Sequence, residues 1–120
     1  MFSVVAAMLG LDYPADAIRS AWHTVLLNQF HDILPGSSIG AVYEDSARDY
    51  AEVLATAREV RDQAMQHVER SINTEGDGVP VVVYNTLSWA RDGLVTVDAP
   101  RGKSRCTVWD PTGRAMPVSV

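Results

Sequence analysis

The sequence predicts an α+β fold, in which a small three-helix bundle is followed by the first antiparallel strands of a β-domain. Before Asn73, apolar residues recur at the three- and four-residue spacings of helices. After Asn73, short apolar runs alternate with turn residues, as strands do. The polar, glycine-rich segment 73–78 separates the two patterns. We therefore expect one domain at residues 1–73 and the start of a second at residues 74–120.

The composition limits the classes of function. The chain has 120 residues, 47% of them hydrophobic, and a formal net charge of −5. Binding of nucleic acid needs a basic face, and spanning a bilayer needs about 20 consecutive apolar residues, so we expect neither nucleic acid nor membrane as a partner. Cys106 is the single cysteine, which excludes an internal disulfide and a cysteine-rich zinc module. With no N-glycosylation acceptor and no signal-peptide pattern at the start, these features favour a cytoplasmic setting.

The first two helices are predicted from apolar spacing and from proline and glycine. The first covers about residues 2–9. The second begins at Pro14, since proline suits the first helical position, and Pro35-Gly36 is expected to end it. Its stripe is predicted at Ile18, Ala21, Trp22, Val25 and Gln29.

The third helix is predicted to be the longest. Ser37 or Ser38 is expected to cap it, and it continues to Arg70. A seam at alternating spacings of four and three predicts packing against partner helices: Tyr43, Ala47, Tyr50, Leu54, Ala57, Arg61, Ala64 and Val68. The acidic residues Glu44, Asp45 and Asp49 are interpreted as a solvated face.

Four short strands are predicted after the boundary. They cover residues 79–84, 94–97, 106–109 and 116–120. Between the last two, the segment 110–113 carries proline at its second position and predicts a tight turn. An open sheet edge at the end of such a series indicates the beginning of a larger β-domain.

The chemically suggestive stretch is residues 28–38, where His31 and Asp32 lie side by side at a predicted helix end. His31 can ligate a metal through one ring nitrogen, and Asp32 can accept hydrogen bonds from sugar hydroxyls or bind the same metal. Alternatively, His31 satisfies carbonyl groups at the helix end and Asp32 caps the following turn.

A complete metal site within the chain is not expected. A catalytic zinc ion needs three or four protein ligands. His23 lies about 12 Å from His31 along a helix, because each residue adds about 1.5 Å. His67 belongs to no metal-binding spacing, and we interpret it as a surface or bundle residue.

The segment 26–39, with sequence LLNQFHDILPGSSI, resembles a segment of the family 38 glycoside hydrolases, the class II α-mannosidases. A long helix follows it, as in that family. Further along, residues 85–89, Asn-Thr-Leu-Ser-Trp, resemble the start of the family's C-terminal β-domain. The resemblance therefore covers the family's helical middle domain and the beginning of its β-domain.

The resemblance implies a retaining hydrolysis of terminal α-linked mannose through a covalent glycosyl-enzyme. It implies that His31 is one ligand of zinc or another divalent cation, and that Asp32 contacts the substrate. The other ligands and the catalytic carboxylates would lie in an N-terminal barrel domain, so no catalytic residue is expected within these 120 residues. Phe30 stands where some relatives have a second histidine, which suggests the bacterial or cytosolic branch.

The partners follow from the same resemblance. They are a mannose-containing oligosaccharide and the missing N-terminal barrel domain of the same chain. Without that domain, apolar surface around Trp22 and Phe30 predicts self-association and an inactive fragment. The alternative function is a non-catalytic helical interaction module that uses the seam of the third helix to bind a partner.

Overall fold

The structure is a computed structural model and describes residues 1–100, 102 and 106–119. Its elements in chain order are α1 (Phe2–Met8), α2 (Ala15–Asn28), α3 (Gly40–Glu69), β1 (Val108–Trp109) and β2 (Ala115–Met116). The predicted α+β class, three helices followed by antiparallel strands, is confirmed. The chain divides into two compact units, Met1–Thr74 and Glu75–Val120.

The helix α1 ends at Met8, and a glycine follows two residues later. Gly10 has a φ of 98°, a left-handed conformation that glycine adopts without a steric penalty. This turn lets the Leu11 N–H donate to the Ala6 carbonyl at 3.0 Å, which satisfies a carbonyl at the helix end. The predicted end at residue 9 was one residue too late. Pro14 precedes α2 as its N-cap instead of occupying the first helical position.

The helix α2 ends at Asn28, and the prediction that Pro35-Gly36 ends it was wrong. The Gln29 N–H is shared between the carbonyls of Val25 and Leu26. The next residue, Phe30, bonds three residues back to Leu27 at 3.1 Å, so the last turn tightens. His31 then has a φ of 41°, outside the right-handed helical region. The backbone thus leaves the helix before the proline can act.

Both short helices pack on α3, which forms the centre of the helical unit. Two small side chains, Ala6 of α1 and Ala64 of α3, are buried and allow close approach of these helices. The end of α1 is joined to α3 by the His67 ring, whose Nε2 lies 3.1 Å from the Leu9 carbonyl oxygen. In the described ranges, no helix combines the length and apolar composition needed to cross a membrane.

The packed stripe of α3 is displaced by one residue from the middle of the predicted seam. The structure buries or half-buries residues at this spacing: Val42, Ser46, Asp49, Val53, Thr56, Val60, Ala64 and His67. The predicted seam is right at its two ends, where Tyr43, Ala64 and Val68 are half-buried or buried. It is wrong between them, where the predicted residues are exposed: Ala47, Tyr50, Leu54, Ala57 and Arg61. Both stripes have the same helical period, and contact with α1 and α2 selects the more polar one. The α2 stripe is also partly wrong, because Trp22 and Gln29 are exposed while Asn28 is buried.

The predicted serine cap of α3 was wrong as well. Ile39 is the N-cap residue, and no side chain bonds to the cap. The two serines instead belong to the preceding loop, where the N–H groups of Ser37 and Ser38 bond to the Asp32 carbonyl. Their role is therefore to close that loop.

Among the described residues of the second unit, β1 and β2 form a short hairpin. Val108 pairs with Met116 and Trp109 with Ala115 in an antiparallel register. The predicted turn at residues 110–113 is confirmed by the bond from the Gly113 N–H to the Asp110 carbonyl at 2.9 Å.

Most of the predicted strand residues are not in strands. Residues 79–84 and 94–97 are irregular, and the two paired strands are shorter than predicted. Val120 lies outside the described residues. The apolar side chains of 79–83 are exposed, and an extended segment needs a neighbouring strand to form a sheet.

The Asp110 carboxylate organises the hairpin turn. Its Oδ1 accepts the Thr112 hydroxyl at 2.6 Å, the Thr112 N–H at 2.9 Å and the Arg114 N–H at 3.0 Å. These bonds, the Thr112 hydroxyl foremost, favour the ionised form and lower the pKa of Asp110. The turn is therefore built around a charged acceptor.

Candidate functional site

The loop between α2 and α3, residues 29–39, carries both predicted site residues. His31 and Asp32 are exposed. The His31 backbone is left-handed, a conformation in which histidine is uncommon but enriched relative to most residues. The His31 ring lies against the Phe30 ring, with the centroids 5.4 Å apart and the planes tilted by 50°. This contact is in the range of favourable aromatic pairs and restrains the imidazole.

The Asp32 carbonyl is the centre of the loop's hydrogen bonds. It accepts the N–H groups of Ser37 and Ser38, each at 3.1 Å, and the Tyr43 hydroxyl at 3.2 Å. The Ser38 N–H also donates to the Tyr43 hydroxyl oxygen at 2.8 Å. A further bond runs from the Ser37 hydroxyl to Asp32 Oδ1 at 3.2 Å. Hydrogen bonds thus join the beginning of the loop at Asp32 to its end at Ser37 and Ser38, and join both to Tyr43 in the first turn of α3.

The carboxylate of Asp32 keeps one oxygen available. Oδ1 accepts the Ser37 hydroxyl, whereas Oδ2 makes no hydrogen bond within the part of the chain that the structure describes. An exposed oxygen of this kind can accept a hydrogen bond from a ligand hydroxyl or approach a cation. The Ser37 contact fixes the rotation of the carboxylate while leaving that oxygen open.

Asn28 anchors the start of the loop. Its side chain is only 5% exposed, and its Nδ2 donates to the Thr24 carbonyl at 3.0 Å and to Asp49 Oδ2 at 2.8 Å. The second bond joins the end of α2 to α3. The sequence analysis missed this contact and wrongly placed Asp49 on a solvated face, although it is half-buried. The signal for Asn28 was its spacing of three residues from Val25 on the packed stripe.

The donors at this loop suit zinc. An imidazole nitrogen and a carboxylate oxygen are both ordinary zinc ligands. The His31 side chain is exposed, so one of its ring nitrogens can face a metal. In residues 1–100, 102 and 106–119, no group of three or more His, Cys, Asp and Glu side chains can hold a metal ion. His31 and Asp32 can therefore contribute to a site but do not form one by themselves.

The other histidines have different surroundings. His23 is exposed on α2, and His67 is engaged with the Leu9 carbonyl at the α1–α3 contact. His67 is therefore a packing residue of the helical unit, in line with its interpretation as a bundle residue. Of the three histidines, His31 alone stands in a loop next to an exposed carboxylate.

Apolar side chains surround the loop on the surface. Phe30 is 65% exposed, and other large apolar residues near it in the chain are exposed too: Leu26, Leu27, Leu34 and Ile39. A separate cavity of about 430 Å³ lies at the junction of the three helices, and Trp22 and Val53 are among its lining residues. Its lining is mainly apolar, so it offers no set of groups for hydrolysis.

The sequence profile of the α-mannosidase middle domain matches residues 1–68, more than half of the chain and all of the loop. This chain belongs to the α-mannosidase middle-domain family. The resemblance to the class II α-mannosidases is thereby confirmed.

Individual α-mannosidases are also similar to the chain. Alpha-mannosidase 2C1 of Mus musculus is 30% identical over 92 residues, 75% of this chain and 8% of that protein. Alpha-mannosidase G of Dictyostelium discoideum is 47% identical over 51 residues, 42% of this chain and 5% of that protein. An alpha-mannosidase of Saccharomyces cerevisiae is 32% identical over 85 residues, 70% of this chain and 7% of that protein.

The chain thus spans less than a tenth of the length of each of these relatives. No solved structure matches the chain. The family assignment therefore rests on sequence similarity and not on similarity to a solved structure.

Proposed function

We propose that this chain is the middle-domain segment of a metal-dependent, retaining α-mannosidase that hydrolyses terminal α-linked mannose. In this proposal His31 supplies one metal ligand and Asp32 one contact to the sugar. The observation that carries it is the exposed His31-Asp32 pair on a hydrogen-bonded loop inside the family match. Because the chain is a small part of its relatives' length, a barrel domain of the same polypeptide would complete the site.

Each residue of the loop has a separate task in this proposal. His31 presents a ring nitrogen to zinc or another divalent cation, while the Phe30 ring limits rotation of the imidazole. Asp32 accepts a hydrogen bond from a hydroxyl of a mannose-containing oligosaccharide through its open oxygen. When bound, the cation supplies Lewis-acid polarisation and orients the sugar hydroxyls.

The catalytic carboxylates are not assigned to this segment. Retaining glycosidases need two carboxyl groups about 5–5.5 Å apart on either side of the scissile bond. The exposed acidic residues of α3, such as Asp45, all lie on one helix, so they cannot stand on opposite sides of a bound sugar. We therefore expect the segment alone to be inactive, and the exposed apolar residues around Phe30 to be covered by the barrel domain.

The test uses the full-length polypeptide that contains this segment. His31→Ala should abolish hydrolysis of an aryl α-mannoside and reduce metal affinity by at least about 10–100-fold. A loss of that size is typical when a residue that only hydrogen-bonds to a metal ligand is removed, so the loss of a ligand itself should be no smaller. Asp32→Asn should leave the metal in place and reduce hydrolysis. His23→Ala is the matched control, because His23 is also exposed but lies on α2. Retention of metal and activity in His31→Ala would refute the proposal.

A second candidate function rests on the exposed stripe of α3. Tyr50 and Leu54 are exposed on one face, which suits a helical interaction module. Under this alternative, Leu54→Asp abolishes partner binding while His31→Ala leaves every activity of the full-length protein intact. The same His31 variant therefore separates the two functions.

The proposal places the protein in the cytoplasm. Cys106, the single cysteine of these 120 residues, has a free thiol, and free thiols are usual in a reducing compartment. Fractionation of the producing cells tests this location.

A further inference from the structure

The Tyr43 side chain links α3 to both ends of the loop that carries the candidate site. Its hydroxyl donates to the Asp32 carbonyl at 3.2 Å and accepts the Ser38 N–H at 2.8 Å. Tyr43 itself is half-buried and lies in the first turn of α3. One hydroxyl group therefore holds two points of the loop that are six residues apart in sequence.

The backbone at His31 makes such a restraint necessary. A left-handed conformation is unfavourable for a residue with a β-carbon, and it persists where surrounding contacts fix it. Asp32 directly follows His31, so the bonds to the Asp32 carbonyl fix the chain immediately after the strained residue. Strain of this kind is found at ligand-binding positions, where it forms part of the site's preorganisation.

We infer that Tyr43 is a positioning residue of the candidate metal site: its hydroxyl fixes the Asp32 backbone and thereby the placement of His31 and Asp32. This inference rests on the proposed function. Tyr43 would touch neither the metal nor the sugar, because its hydroxyl is engaged with the loop backbone. Its effect on the site passes through the main chain of residues 31–38.

The effect of the Tyr43 hydroxyl on the loop can be separated from an effect on the stability of α3. Ser38 lies one residue before the N-cap Ile39, so its N–H is not one of the unpaired donors of the helix. Removing the Tyr43 hydroxyl should therefore loosen the loop and leave the helix intact. If Tyr43 only stabilised the fold, Tyr43→Phe would lower the Tm and leave the Kd for Zn²⁺ unchanged.

The test compares Tyr43→Phe with Tyr50→Phe in the full-length polypeptide. Tyr50 lies on the same helix but is exposed, and its hydroxyl makes no hydrogen bond within the described residues, so it is the matched control. In Tyr43→Phe, hydrogen–deuterium exchange in a peptide covering residues 32–39 should accelerate about three- to ten-fold, the effect of losing one hydrogen bond. The Kd for Zn²⁺ should rise about ten-fold, as with other supporting residues of metal sites, with Tm unchanged.

Two outcomes would overturn the inference. In the first, hydrogen–deuterium exchange of residues 32–39 in Tyr43→Phe is no faster than in Tyr50→Phe. In the second, exchange in Tyr43→Phe is faster but its Kd for Zn²⁺ is unchanged, although His31→Ala weakens metal binding. If His31→Ala leaves the Kd unchanged, the proposed function fails. In that case the role of Tyr43 at a metal site is overturned with it, and the exchange result alone reports whether the hydroxyl holds the loop.

Discussion

The contact between Asn28 and Asp49 should contribute strongly to the stability of the helical unit. Asn28→Ala removes a bond to a carboxylate, worth about 1.5–3 kcal/mol, and a bond to the Thr24 carbonyl, worth about 0.5–1.5 kcal/mol. Because Asp49 is half-buried and partly solvated, the lower half of the combined range applies. The expected loss is about 2–3 kcal/mol in the free energy of unfolding.

A double-mutant cycle isolates the pair. Asn28→Ala, Asp49→Ala and the double variant are unfolded in urea and followed by far-ultraviolet circular dichroism. The coupling free energy between the two positions should be about 1–2 kcal/mol, since each single variant removes the same bond. Asp45→Ala is the matched control, because Asp45 pairs with Arg48 on the surface and should contribute less than about 1 kcal/mol.

The reasoning would be refuted by additivity. If the losses in Asn28→Ala and Asp49→Ala sum to that of the double variant within about 0.5 kcal/mol, the two side chains do not interact. A loss in Asp45→Ala equal to that in Asp49→Ala would also show that the burial of Asp49 has no energetic consequence.

Two further predictions concern the hairpin and the exposed apolar surface. The pKa of the Asp110 carboxyl, measured by NMR, should lie below the ordinary value of about 3.9. The stabilisation of the hairpin by the ionised carboxylate is then present above about pH 3.9 and is lost as the pH falls through the lowered pKa. A pKa at or above the ordinary value would contradict the three hydrogen bonds. The 120-residue chain should self-associate in sedimentation velocity, because Trp22 and Phe30 are 58% and 65% exposed. Glutamate at either position should reduce the association, glutamate at the exposed His23 should not, and a monomeric wild-type chain would contradict the prediction.

The sequence predicted the number and order of the helices better than their packed faces. Apolar spacing located all three helices to within a few residues, except for the end of α2. It failed to choose between adjacent stripes of equal period on α3, because that choice depends on which face meets α1 and α2. The half-buried stripe includes Ser46, Asp49 and Thr56, whose polarity favoured the wrong face.

The strands were the least predictable part. The continuous apolar run at 79–84 forms a strand only when a partner strand is present to take up the backbone hydrogen bonds. The hairpin at 108–116 was predictable because its turn carries its own signals, namely Asp110, proline at its second position and a left-handed glycine, Gly113.

The candidate site was predictable as a motif but not as a geometry. The dipeptide His31-Asp32 and its neighbours carry the family resemblance, and the structure places both side chains on the surface. The left-handed His31 backbone, the Tyr43 clamp and the buried Asn28 depend on contacts between distant residues. The three-residue spacing from Val25 was a local signal for the burial of Asn28. No local pattern predicts the His31 backbone conformation or the hydrogen bonds of Tyr43.

The most direct test of the proposed function is a structure of the full-length polypeptide determined in the presence of Zn²⁺. The account predicts a His31 ring nitrogen about 2.0–2.1 Å from the metal, with the loop closed by Tyr43 and with Asp32 beside the sugar site. A metal whose ligands do not include His31, or a His31 ring turned away from the metal, would contradict the proposed function.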